Sequence, residues 1–248
     1  MIILKNGSGA IRGFFYVRYP TIKTFTFAAM SFRHTLALCK KDTVTEFRQQ
    51  HAVFGILLYI ASTIFVLYLS MDKPNSATWN ALFWITQLFV VTNAVAKSFL
   101  GDSKGRQLYY YSIVHPTSYI FSKLIGNTIL MIVLSTASLG LYTLLLGSPL
   151  VFAGTFFGIT LLGGISLSLV FTLLSAIASK AQQQASLMAI LGFPIIIPQL
   201  VLLIRLSKVA FGEVFRNGVG LQLAGLLIGL DIMIVIMSAI LFPYLWKD

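Results

Sequence analysis

Six apolar stretches, at 52–70, 79–96, 124–146, 151–178, 187–204 and 221–245, divide this chain. Each is close to or above the roughly 20 residues that a helix needs to cross the hydrocarbon core of a bilayer. Hydrocarbon offers a peptide group no hydrogen-bond partner, so a continuous run of this kind must satisfy its own amides as a helix. The alternating ten-residue segments of an outer-membrane barrel are absent. Composition points the same way: 57% of residues are hydrophobic and 10% charged, where soluble domains carry about 25% charged residues. The expected fold is an all-α, polytopic membrane protein with six transmembrane helices.

The formal charge of +11 raises the possibility of nucleic-acid binding, but the placement of the charges argues against it. With six crossings, the N-terminus, the loop between the second and third spans, the Lys180 loop and the tail share one side. That side holds every basic residue except Lys73, Arg205, Lys208 and Arg216. The positive-inside rule assigns the rich side to the cytoplasm, so both termini are expected there. The basic excess reads as an orientation signal and an attraction to membrane lipid, with no nucleic-acid partner.

Residues 1–29 differ from the rest: Gly7, Ser8 and Gly9 break any pattern, and no apolar signal-peptide core follows the charges. The reading of this region is a disordered tail or a mis-assigned extension ahead of a natural start at Met30, with the six-helix transmembrane domain at 30–248. Phe32, Leu36, Cys39, Thr43 and Phe47 recur at helical spacing among Arg33, His34, Lys40, Lys41 and Arg48. This segment is either an amphipathic helix lying in the membrane interface or a positive flank that orients the first span. Cys39 is the one cysteine, which excludes an internal disulfide or a cysteine cluster.

Within the spans, Trp79 and Trp84 stand near the start of the second, where indole favours the headgroup boundary. Gly163 and Gly164 allow the long fourth run to tilt, to kink or to pack closely. Pro194 and Pro198 are expected to kink the fifth, and 205–220 to form the longest outer loop, with or without a surface helix. Gln87, Asn93 and Asn127 read as interhelical glue first and as pathway lining second.

Catalytic patterns are missing. No phosphate-binding loop of the G-x-x-x-x-G-K-[ST] kind occurs, so the chain is not expected to bind and hydrolyse ATP by itself. His34, His51 and His115 lack metal-ligand spacing. Asp231 is the one acidic residue deep in a span; a carboxylate there costs at least about 2.5 kcal/mol. It should face the bundle interior, as a functional group or as polar packing.

The loop at 101–116, GDSKGRQLYYYSIVHP, is a polar island between long apolar runs. Tyr109, Tyr110 and Tyr111 are either interface anchors or, with Lys104 and Arg106, a surface that inserts into a partner's groove. Pro116 disfavours helix at His115, consistent with a shaped turn. The words SKGRQLYYY (103–111), His115-Pro116 and Ser122-Lys123, with EFRQQHAVFGILLY (46–59) and LGSP (146–149), occur in an order that resembles the CcmB family.

That resemblance covers about 30–246 and implies an ABC-2-type permease-like fold in a bacterial inner membrane. It implies a permease subunit for haem export or delivery in cytochrome c maturation. Its expected partners are a cytoplasmic CcmA-like ATPase, a haem-handling CcmC-like membrane protein and a periplasmic CcmE-like haem chaperone, with two copies of this chain per complex. Haem would be a transported or handled substrate and not a bound cofactor. The ATPase-docking set is Lys104, Arg106, Tyr109, Tyr110, Tyr111, His115 and Pro116. The alternatives are an exporter of another lipid-like or drug substrate, and a non-transporting scaffold that relays ATP hydrolysis to a haem-handling neighbour.

Overall fold

The computed structural model describes residues 50–71, 74–95, 116–179, 184–212 and 218–245. The expectations for 1–29, the interfacial helix and Cys39 lie outside these residues. Six α-helices of 20 residues or more make up nearly everything described: α1 Gln50–Ser70, α2 Ser76–Val95, α3 Pro116–Leu146, α4 Ala153–Ala178, α5 Gln184–Ser207 and α6 Val219–Leu245. A 3-10 turn, Lys208–Phe211, follows α5. Five of the helices are long and apolar enough to cross a membrane; α2 falls below that apolar average. The shortfall has a cause. α2 carries Asn80, Gln87, Thr86 and two tryptophans, and all of them are buried against other helices.

Local chemistry sets the helix ends. Asn75 Oδ1 accepts from the Thr78 amide at 2.7 Å and caps α2. Pro116 is the first residue of α3, a position where its missing N–H costs no ladder bond. The helix thus begins eight residues before the apolar run at 124, and the turn expected at Pro116 is a helix start. Gly147 ends α3 and Gly212 ends the 3-10 turn, both with positive φ (77° and 80°) that side chains disfavour. Between them, the amides of Val151 and Phe152 both donate to the Ala210 carbonyl, at 3.1 and 2.9 Å. These bonds join the α3–α4 connection to the exit of α5.

The fifth span extends further than its apolar run. Pro194 and Pro198 both lie inside α5, which continues past them to Ser207; in a bundle, neighbouring helices can accommodate the carbonyls that proline releases. The segment at 205–220 is not simply a loop: α5 continues to Ser207 and the 3-10 turn extends to Phe211.

The helix α4 lies at the centre, packed against α2, α3, α5 and α6. Its glycines set the approach. A β-carbon on Gly163 would lie 2.4 Å from Cη2 of Trp84, and one on Gly164 would lie 2.8 Å from Oγ of Ser135. Close packing, the last of the three expectations for this pair, is what the glycines provide.

Candidate functional site

Asp231 faces inward from α6 and is 8% exposed. Ser166 of α4 donates its hydroxyl to Asp231 Oδ1 at 2.6 Å. Gln199 of α5 places Nε2 3.4 Å from the same oxygen and also donates to Ser166 Oγ. Three helices therefore deliver one polar group each to a single point. The other amide atom, Gln199 Oε1, is buried without a hydrogen-bond partner among the described residues. The sequence singled out Asp231 but neither Ser166 nor Gln199. A glutamine next to Pro198 in an apolar run was the available signal.

A second polar region follows the contact of α4 with α3 and α2. Asn127 donates from Nδ2 to Thr172 Oγ1 at 2.9 Å, and Gly164 abuts Ser135, which fixes the antiparallel register of α3 and α4. Carried along, this register sets Ser138 level with Thr160 and Ser168 level with Met131. The hydroxyls of Ser135, Ser138, Thr160 and Ser168, and both polar atoms of Gln87, are buried without a partner among the described residues. Asn127 is thus interhelical glue, whereas Asn93 donates to the Phe89 carbonyl of its own helix. The spacing of Gly164, Ser168, Thr172 and Ser175 could have shown a polar stripe on α4.

At the end of the bundle where α1 joins α2 and α3 joins α4, aromatic rings close the interior. Trp79 meets Tyr142 edge-on at 4.8 Å and Phe156 at 5.3 Å, and Phe83 lies 5.2 Å from Phe156. Trp79 donates from Nε1 to the Gly147 carbonyl at 3.1 Å, and Trp84 donates to Ser207 Oγ at 2.8 Å. Both indoles are fully buried. The expectation that they anchor at the headgroup boundary is therefore overturned: their N–H groups are satisfied within the bundle, so burial carries no polar penalty. Asn80 adds a bond from Nδ2 to the Ile204 carbonyl at 2.9 Å.

Lys104, Arg106, Tyr109, Tyr110, Tyr111 and His115 lie outside the described residues. Pro116, the last of the docking set, is half-buried at the start of α3. One turn further on, Tyr119 stacks on Phe242 at 5.8 Å and Lys123 sits 5.8 Å from the Tyr119 ring. Among the described residues no group of three His, Cys, Asp or Glu side chains is placed to hold a metal ion.

The helices and their polar interior define an all-helical, multi-pass integral membrane protein. The family model described as CcmB protein matches residues 33–244, and the chain belongs to the CcmB family. Membership makes it a permease-type membrane subunit of haem transport in cytochrome c biogenesis. No curated protein and no solved structure matches the chain.

Proposed function

We propose that this chain is the six-span permease subunit of an inner-membrane ABC complex that exports or delivers haem for cytochrome c maturation. The observation that carries this reading is the family match across 33–244. A separate CcmA-like ATPase supplies the energy, since the sequence contains no phosphate-binding loop. In this reading α2 is the sixth span. Its polar groups are hidden inside the bundle, which removes the cost of a modest apolar average. The positive-inside distribution supports cytoplasmic termini and a cytoplasmic loop at 101–115.

That loop is the docking surface, with Lys104 and Arg106 setting register and Tyr109, Tyr110 and Tyr111 as buried anchors. It leads directly into Pro116 and α3, a 31-residue helix about 46 Å long at 1.5 Å per residue. A push on the loop by a closing ATPase dimer therefore acts on a rigid rod in contact with α4. Two copies of the chain serve the two ATPases, and the CcmC-like and CcmE-like proteins receive the haem.

Deletion of 103–115, which spares the helix start at Pro116, tests the docking. The expected outcome is normal membrane insertion with loss of the co-purifying ATPase; equal recovery of the ATPase overturns the assignment. Arg106→Glu should weaken recovery less severely. A deletion strain should lose c-type cytochromes while lipid and drug tolerance stay unchanged. A loss of tolerance instead would favour export of another substrate.

A further inference from the structure

We propose that Asp231, Ser166 and Gln199 form a proton-binding site inside the bundle, occupied when α4, α5 and α6 are closed on one another. The inference rests on geometry alone and holds whether or not haem crosses this subunit.

Asp231 Oδ1 takes two donors, from Ser166 and Gln199, yet no described residue around it supplies a countercharge. The helix α4 contains no titratable side chain. Arg205, on the last turn of α5 and exposed, stands six positions beyond Gln199. Tyr244 of α6 is exposed near its far end. On α3, which also packs on α6, Lys123 lies beside Tyr119, whose ring stacks on Phe242. Phe242 is about 16 Å along α6 from Asp231 at 1.5 Å per residue. Tyr142 lies in the aromatic cluster, with its hydroxyl on the Trp79 carbonyl.

An ionised carboxyl held this way keeps its charge at membrane depth uncompensated. A proton removes that charge. It also makes Asp231 a donor, and a half-turn of the Gln199 amide, which exchanges its oxygen and nitrogen, lets that oxygen accept from it. The step is a plain protonation: hydronium gives up one proton, an O–H bond forms on Asp231, the carboxyl charge falls from −1 to 0 and water is released. Nothing is oxidised or reduced. Since each of the three groups sits on a different helix, separating the helices admits water to the carboxyl, the water solvates the charged form, and the proton leaves to it as hydronium.

Infrared pH-difference spectroscopy on the full-length protein in lipid nanodiscs tests the site directly. The expected result is a protonated carboxylic-acid carbonyl band near neutral pH that is absent in Asp231→Asn. In Ser166→Ala, which removes the donor to Oδ1, the band should move to higher wavenumber; this variant keeps the test decisive if Asp231→Asn fails to insert. A wild-type protein without such a band overturns the proposal. So does a band that survives Asp231→Asn, or one that Ser166→Ala leaves unmoved. A band that disappears when sodium replaces choline in the buffer also overturns it, in favour of a metal cation held by the carboxylate.

Discussion

The helices α1 and α4 are almost equally apolar, yet 78% of the apolar window of α4 is buried inside the protein and only 11% of that of α1. In water such sequences would compete for the same core. In lipid they do not, because acyl chains solvate leucine as well as another leucine does. What separates them is side-chain size and polarity. The α1 helix turns Phe54, Leu58, Phe65, Val66 and Leu69 outward. The α4 helix presents Gly163, Gly164, Ser166, Ser168, Thr172 and Ser175 to its neighbours. Backbone approach and hydrogen bonding, not hydropathy, choose the central helix.

The largest test of this contrast is a single methyl group placed on each helix. Gly163→Ala drives a β-carbon into the Trp84 ring and should destabilise the protein by about 1–3 kcal/mol, the usual range for overpacking. Gly55→Ala meets open space on α1 and should be neutral, or stabilising by up to about 1 kcal/mol from helix propensity. Thermal inactivation in detergent, followed by size-exclusion chromatography, measures both. Equal shifts would break the comparison.

A smaller effect is expected for Trp84→Phe, which removes the bond to Ser207 at a cost of about 1 kcal/mol. The lipid-facing Phe54→Leu should stay within about 0.5 kcal/mol. The finest distinction lies within the polar seam. Thr172→Val removes the partner of Asn127 and should cost about 0.6 kcal/mol. Ser135→Ala removes a hydroxyl that has no partner among the described residues, so its stability should be unchanged or slightly raised.

The helices were readable from sequence because hydrocarbon permits a long apolar run one regular backbone. The faces were not. When every side of a helix is apolar, periodicity does not say which side meets protein, and so Trp79 and Trp84 read as headgroup anchors although both are core residues. The start of α3 was hidden for a related reason: Thr117, Ser118, Ser122 and Lys123 dilute the apolar signal while the backbone is already helical. Asp231 was legible because ionisable groups are rare at depth. Ser166 and Gln199 were not, since either could have faced many neighbours, and only the packing of α4, α5 and α6 brings them to the carboxyl.

The paired amides of Val151 and Phe152 on the Ala210 carbonyl act as a fulcrum. Main-chain atoms make this clasp, so among substitutions only proline at 151 or 152 removes one of its donors. With the aromatic rings packed beside it, this pole carries main-chain and ring contacts together, roughly 39 Å along the 26 residues of α4 from that helix's other end.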